Sequence, residues 1–169
     1  LFFYTFISTS FSELVEKVEV KGNERITTET IIVFGDVTLG KNYEISDVNE
    51  LIKKLYETTF FSKISINLEN NILKIVVEEN PIVDSIVFDG EKADKYKDQI
   101  QEQLSIKEKG SFIDSYVKKD LGVLKEFYRM LGYYFVNIEV EIEKLKNNRV
   151  NLIFKIDKGE KAKIAKIYF

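Results

Sequence analysis

Cysteine and histidine are absent from this 169-residue chain, and proline occurs once, at Pro81. These absences exclude thiol nucleophiles, Cys/His zinc sites and the commonest general base. They also exclude a disulfide framework, but they leave the redox compartment open. The chemistry that remains belongs to carboxylates, lysine, tyrosine, serine and threonine. We therefore expect no catalytic centre, no metal site and no cofactor.

Basic charge is also scarce. The net charge is −3 and the pI is about 5.3, with lysines spread among Glu and Asp rather than gathered in a stripe. Nucleic-acid binding needs Lys and Arg to neutralise phosphates. We expect no nucleic-acid partner.

The chain begins with an uncharged, aromatic-rich run from Leu1 to Ile7. This run is too short to span a bilayer, which takes about 20 apolar residues. It is similar to the apolar end of a secretory signal, and Ser10-Phe11-Ser12 has the small-x-small form of a cleavage site. The prediction is a leader remnant over residues 1–12. The alternative is an apolar N-terminal strand or a tag remnant.

Internal repeats organise the rest of the chain. The stretch "VEKVEVKGNE" aligns with "VDSIVFDGE" at a shift of 68 residues, so that Gly22 falls on Gly90. Asn pairs at 70–71 and 147–148 each precede a similar strand pattern, and "IAKIYF" at the end fits the start of the same template. We predict a first domain over 13–80, a second over 81–160 and the first strand of a third over 161–169.

Hydrophobic periodicity predicts strand, helix, helix, strand, strand in each repeat. The predicted elements of the first repeat are 15–21, 28–35, 46–58, 61–69 and 72–79. Those of the second are 82–89, 94–104, 112–131, 133–144 and 149–157. A helix pair returns the chain to its starting side, so the first and third strands pair in parallel and the second is left at an edge. The fold class is α+β, with two tandem domains of a three-stranded mixed sheet covered by two helices.

This order of elements resembles the POTRA domain family. "VEKVEVKGNERI" is similar to the family's first strand and the turn after it, "LYETTFFSKI" to its helix-to-strand passage, and "VEENPIVDSIVFDGE" to its junction between domains. The resemblance covers nearly all of residues 14–169. Thr59 stands where the family usually has Gly, which predicts a differently built helix end if positive φ is avoided. Glu91 replaces the common Asn after Gly90.

The resemblance implies the periplasmic portion of a bacterial outer-membrane protein, and within the family it is closest to the β-barrel assembly factor. The implied partners are unfolded outer-membrane proteins, periplasmic chaperones and assembly lipoproteins, and a C-terminal membrane barrel of the same protein. Another barrel transporter, of the TamA or two-partner secretion type, is an alternative. A small α+β enzyme and an RNA-binding module are less favoured, because polar clusters and basic loops are lacking.

Strand addition at an open sheet edge is the binding chemistry that suits such a domain. We predict client-binding edges at Phe61, Ile64, Ile66, Leu68, Tyr134, Ile138 and Val140. The plainer interpretation is a solvated edge on which Lys63 and Glu69 oppose aggregation, and for any single edge it is favoured. Strand alternation in the second edge predicts that Tyr133 and Phe135 share a face and Tyr134 takes the other.

The single proline marks the predicted hinge, Asn80, Pro81 and Ile82. Proline cannot donate to a strand ladder, so it stops pairing from running from one domain into the next, and it stiffens a short link. Restricted articulation between the repeats is the expectation, and solution scattering tests it. The nearby carboxylates Glu78, Glu79 and Asp84 are interpreted as a solvated face or as ionic contacts between repeats.

Overall fold

A computed structural model of the protein describes residues 12–162. Its first unit follows the predicted order, with two additional short strands. The elements are β1 (Glu13–Leu14), β2 (Lys17–Lys21), α1 (Thr28–Phe34), β3 (Asn42–Tyr43), α2 (Ile45–Glu57), β4 (Phe61–Glu69) and β5 (Ile72–Glu79). The short strands β1 and β3 pair with each other and were not predicted, because two residues are too few to display alternation.

The second unit repeats the order of strand, two helices and two strands. Its elements are β6 (Ile82–Asp89), α3 (Asp94–Gln103), α4 (Asp114–Met130), β7 (Asn137–Leu145) and β8 (Arg149–Asp157). Contacts within the chain separate the two units between Glu79 and Asn80. The predicted leader remnant and the start of a third repeat lie outside the described residues, apart from residue 12 and residues 161–162. No helix among residues 12–162 is long and apolar enough to cross a bilayer.

Each unit contains a three-stranded mixed sheet of the predicted topology. The strand orders are β2-β5-β4 in the first unit and β6-β8-β7 in the second. The outer strands β2 and β6 run parallel to the central strand, whereas β4 and β7 run antiparallel to it. The predicted α+β fold class and the predicted edge positions of the second long strands are confirmed.

Paired asparagines close the two hairpins. Asn70 and Asn71 have φ of 54° and 63°, and Asn147 and Asn148 have φ of 59° and 49°. Two consecutive positive φ angles match the right-handed twist of the flanking strands. Asparagine tolerates this conformation better than most side chains, so these pairs set the register of the hairpins.

Thr59 adopts the left-handed conformation that glycine usually supplies, with φ of 63°. A different helix end was predicted here, and that prediction is wrong. The hydroxyl of Thr58 donates to the carbonyl of Leu55 at 2.6 Å, and the Thr59 amide donates to the carbonyl of Tyr56 at 3.0 Å. These bonds hold the turn after α2 against a strain of about 1–2 kcal/mol.

Both sheets bury one face against their helices. The first core gathers Ile31, Leu51, Leu55, Leu73 and Ile75, all at most 2% exposed. The second core is larger, and within it the rings of Phe88 and Phe154 stack with their centroids 5.8 Å apart. Burial of this apolar face, at roughly 25 cal/mol per Å², is the main force that holds each unit together.

Strand β7 begins at Asn137, four residues later than the predicted strand over 133–144. Gly132 has φ of 94° after α4, and residues 133–136 lie outside any strand, with a turn at 134–135. The predicted alternation of Tyr133, Tyr134 and Phe135 across a strand is therefore wrong. Tyr134 lies in the loop before β7, because the turn at Gly132 delays the start of the ladder.

Candidate functional site

The candidate site is the pair of sheet edges formed by β4 and β7. Each strand has a neighbour on one side only among the described elements. The other side presents a row of backbone N–H and C=O groups that an extended segment can pair with. The two edges differ in how freely they present that row.

The first half of the β4 edge is protected. The ladder with β5 shifts register between Phe61 and Lys63, as in a β-bulge, which twists an edge away from further pairing. The amide of Ile64 donates to the hydroxyl of Tyr56 at 3.2 Å, so a side chain already occupies this backbone donor. Lys63 lies alongside, and its hydrogen bond to Glu78 at 2.7 Å raises the pKa of the lysine.

The β7 edge is continuous. Its nine residues pair with β8 in unbroken register, from Asn137 opposite Asp157 to Leu145 opposite Arg149. An added strand would therefore meet a straight row of backbone groups over the whole length of β7. This strand is the better template of the two.

Alternation gives β7 one apolar face and one acidic face. Ile138, Val140 and Ile142 lie opposite the buried residues of β8, with Ile138 buried, Val140 half-buried and Ile142 39% exposed. Glu139, Glu141 and Glu143 lie on the other face and are exposed. Lys155 pairs with Glu141 at 2.6 Å, and Asn151 donates to Glu143 at 2.8 Å. Sequence reasoning missed this acidic stripe, although the alternation in "VNIEVEIEKL" contains it.

The side chains predicted as edge residues mostly face the core. Phe61 and Ile138 are 3% and 4% exposed, and the half-buried group consists of Ile64, Ile66, Leu68 and Val140. Tyr134, 60% exposed, stands outside the strand. What these strands offer a partner is therefore their backbone, and the side chains that meet a partner on the solvent face are polar.

An exposed apolar patch lies beside the start of β7. Met130 and Tyr134 border one cleft, and Phe135 is 86% exposed. Tyr133 instead packs its ring edge-on against Tyr128, with centroids 6.4 Å apart. The aromatic residues around Gly132 thus divide into a buried member, Tyr128, and the exposed members Tyr134 and Phe135.

The predicted hinge residues are fastened into the second unit. The Phe112 amide donates to the carbonyl of Pro81 at 2.7 Å, and the Ile82 amide donates to the carbonyl of Asn148 at 3.0 Å. Ile82 also forms a bridge with Ser111. Residues 81 and 82 therefore belong to the folded body of the second unit.

Glu78, Glu79 and Asp84 were interpreted as a solvated face or as ionic contacts between repeats. Glu79 is buried, at 6% exposure, so the solvated-face interpretation is wrong for it, and its ion pair is with Arg25 of its own unit. Its Oε1 accepts the amides of Glu24, Arg25 and Ile26, each at 2.9 Å, and its Oε2 accepts Nε of Arg25 at 2.9 Å. Burial opposes ionisation, but these amides and the guanidinium outweigh it and lower the pKa of Glu79.

Glu91 is a second buried carboxylate, at 4% exposure. Its Oε2 accepts the Tyr128 hydroxyl at 2.7 Å and Nζ of Lys158 at 2.8 Å, and its Oε1 accepts the Ala93 amide at 2.9 Å. Burial opposes its ionisation, but Lys158 and the two hydrogen bonds outweigh it and lower the pKa of Glu91. Burial and the adjacent carboxylate raise the pKa of Tyr128.

Asp120 completes the set of buried carboxylates. It accepts the amides of Ser105 and Ile106, both at 2.8 Å, and so fastens the loop after α3 to α4. Among residues 12–162, no group of three or more Asp, Glu, His or Cys residues is placed to hold a metal ion. Each buried carboxylate accepts hydrogen bonds from backbone amides, and Glu79 and Glu91 also pair with a cation. These interactions stabilise the fold of each unit.

Comparison with known proteins places the fold. Residues 81–159 match the POTRA family, described as a surface antigen variable number repeat. The chain is 28% identical over 158 residues to the outer membrane protein assembly factor BamA of Neisseria meningitidis, covering 92% of this chain and 20% of that protein. It is 24% identical to BamA of Neorickettsia risticii, covering 96% of this chain and 22% of that protein. The chain thus spans about a fifth of the length of these relatives.

Solved structures have the same fold. The first two POTRA domains of the periplasmic domain of Omp85 from Anabaena align with a TM-score of 0.50 at 18% identity, covering 86% of this chain and 96% of that one. The N-terminal domain of Omp85 from Thermosynechococcus elongatus aligns with a TM-score of 0.54 at 14% identity, covering 86% and 63%. The predicted POTRA resemblance is confirmed.

Proposed function

Because the second unit is a POTRA domain and the first has the same order of elements, we propose that this chain receives unfolded outer-membrane proteins in the periplasm. It acts as a non-enzymatic scaffold of an outer-membrane protein assembly factor, in which it docks periplasmic chaperones and assembly lipoproteins and precedes a membrane barrel. The assembly role named for its BamA relatives supports this proposal, as does the periplasmic origin named for its Omp85 neighbour.

The observation that carries the proposal is the unbroken, one-sided ladder of β7. Unfolded outer-membrane proteins contain segments of about 10 residues in which apolar and polar side chains alternate, and these segments become the strands of the barrel. Such a strand can pair with β7 through backbone hydrogen bonds, which carry little sequence information and suit many clients. Its apolar face would extend the apolar face of the sheet.

The backbone amides that point away from the central strand identify the residues to test. The Ile64 amide points away from β5 because it donates to Tyr56. Ile138 is the equivalent residue of β7. Ile64 pairs with Val77 and Ile138 pairs with Ile156. The carbonyl groups of Val77 and Ile156 lie against Gly22 and Gly90, the glycines that follow the first long strand of each unit. Amides alternate along a strand, so those of Ile66 and Ile142 also point to the open side.

Replacing Ile142 with proline is expected to weaken binding of a fluorescent outer-membrane strand peptide about tenfold, because a lost backbone bond is worth roughly 1.4 kcal/mol. Fluorescence anisotropy measures the affinity, and far-UV circular dichroism verifies the fold. Ile142→Val, which keeps the amide, is the matched control and retains binding. Ile66→Pro tests β4, where the expected effect is smaller. Unchanged affinity in a folded Ile142→Pro variant would remove β7 as the receiving edge.

The acidic face of β7 predicts a preference among clients. A peptide with lysine at every second position is expected to bind about tenfold more tightly than its glutamate counterpart, because three cross-strand charge pairs each contribute roughly 0.5 kcal/mol. Changing Glu139, Glu141 and Glu143 together to Gln is expected to abolish this difference, and so is added salt. A preference that survives the triple change would place the binding edge elsewhere.

A further inference from the structure

The two units match position by position at the end of the central strand. A Cβ added to Gly22 would lie 2.0 Å from the carbonyl oxygen of Val77, and one added to Gly90 would lie 2.1 Å from that of Ile156. Val77 and Ile156 are therefore equivalent residues. Counting two residues onward, Glu79 is equivalent to Lys158.

Each unit forms an ion pair between this outgoing position and the loop after its first strand. In the first unit the outgoing residue is the carboxylate Glu79, and the loop supplies the cation, Arg25, at 2.9 Å. In the second unit the outgoing residue is the cation Lys158, and the loop supplies the carboxylate, Glu91, at 2.8 Å. The position is the same in the two units and the polarity is reversed.

Both pairs are sheltered from water on the carboxylate side. The side chains of Glu79 and Glu91 are 2% and 1% exposed, and their cations are 30% and 24% exposed. A buried carboxylate that loses its cation is left uncompensated, so breaking such a pair is far more damaging than breaking a surface pair. Because the polarity is reversed, what the two units share is an ion pair between these two positions, and not a particular side chain at either position.

We propose that this ion pair is a clasp that binds the outgoing chain of each unit to its own body and sets the direction in which the chain leaves. In the second unit the attachment continues past the clasp. Nζ of Lys161 lies 5.9 Å from the ring centroid of Tyr133, and the Ala162 amide donates to the carbonyl of Gly132 at 2.9 Å. Residues 158–162 thus lie against the loop that follows α4.

In the second unit the clasp acts as a conformational device because it joins a segment that the ladder alone does not hold, whereas Glu79 of the first unit is itself the last residue of β5. Strand β8 ends at Asp157, so residues 158–162 have no strand partner. Lys158 is the first residue beyond the ladder, and its ammonium also lies 5.7 Å from the ring centroid of Tyr128. Its release would free the outgoing segment while leaving the sheet in place. This role does not depend on what binds at β7.

Two spin labels test the clasp directly. Since the chain contains no cysteine, Lys125→Cys on α4 and Glu160→Cys beyond the clasp give a unique exposed pair. Double electron–electron resonance is expected to give one narrow distance distribution in this labelled parent. Lys158→Met is expected to broaden it, and Lys158→Arg to restore it. Lys155→Met, which breaks an exposed ion pair on β8 three residues before the clasp, is the matched control and leaves the distribution narrow.

Hydrogen exchange separates local release from loss of fold. In Lys158→Met the Ala162 amide is expected to exchange about tenfold faster, whereas the amides of Leu152 and Phe154 keep their protection relative to the global stability. Glu91→Gln, which leaves no buried charge and keeps an acceptor for Tyr128, provides the same test should Lys158→Met unfold. A narrow distribution with unchanged Ala162 exchange in a folded variant overturns the proposal, and so does equal broadening by Lys155→Met.

Discussion

Replacing Gly90 with alanine is expected to destabilise the second unit by more than about 3 kcal/mol. The added Cβ would lie 2.1 Å from the carbonyl oxygen of Ile156, which belongs to the backbone of the central strand and cannot rotate away. Gly90 also has φ of 91°, a conformation that an alanine adopts only with strain. The clash and the strain both act at Gly90, where the loop after β6 crosses β8.

Two other glycines separate these causes. Gly40 has φ of 77° but open space around the added Cβ, so Gly40→Ala is expected to lose only about 1 kcal/mol. Gly122 lies within α4, also with open space, and Gly122→Ala is expected to add about 0.5–1 kcal/mol through helix propensity. Native-state hydrogen exchange measures each unit separately. If Gly90→Ala lost no more than Gly40→Ala, the close backbone crossing would be refuted.

Replacing Glu79 with alanine is expected to destabilise the first unit by about 3–5 kcal/mol, because each lost hydrogen bond contributes roughly 1 kcal/mol and more where a charge takes part. The change leaves three amides, those of residues 24–26, without their acceptor, and it leaves Arg25 without its carboxylate. These donors face a carboxylate that is 2% exposed, so water replaces the lost acceptor poorly and the donors lose a hydrogen bond on folding. Loss of protection should appear in β2 and β5 of the first unit.

Comparison of Glu79→Gln with Glu79→Ala separates the contribution of the three amide hydrogen bonds from that of the ion pair with Arg25. All three backbone bonds reach Oε1, so the glutamine carbonyl can keep them while its amide replaces only the oxygen that faces Arg25. The expected loss is on the order of 1.5–3 kcal/mol, the contribution of hydrogen bonding to a charged group. Equal losses for the alanine and glutamine variants would contradict the assignment of the three amides to one oxygen.

Glu79→Gln also tests how the stability of the first unit depends on pH. The pKa of Glu79 is held below its ordinary value of 4.5 in the folded protein. Its contribution is therefore complete above that value and is lost as the pH falls through the lower folded pKa. We expect the stability difference between the parent and Glu79→Gln to shrink as the pH is lowered below about 4.5. Urea denaturation followed across this range measures it.

Local features in the sequence predicted most of the fold. Helical spacing and strand alternation located ten of the twelve elements, and the Asn pairs located both hairpin turns. These signals are reliable because each depends on a short stretch of chain and its exposure. The start of β7 was missed because Tyr133, Tyr134 and Phe135 suit a strand, whereas Gly132 and the turns after it place them in a loop.

The candidate site was only partly predictable. The edge position of β4 and β7 followed from the direction of the chain through each unit, since the third long strand pairs with the first on one side and with the second on the other. Which edge is open did not follow, because the bulge in β4 and the hydroxyl of Tyr56 on Ile64 arise from tertiary packing. Exposure of the acidic stripe likewise required the register of β7 against β8.

By itself the sequence determined the repeat, the order of elements and the turn that closes each hairpin, because these depend on neighbours within a few residues. Tertiary structure alone decided the roles of Glu79 and Glu91. Their partners Arg25 and Lys158 lie 54 and 67 residues away along the chain, and no local pattern separates a buried carboxylate from a solvated one. Only the crossing of the first loop over the last strand brings these charges together and excludes water from them.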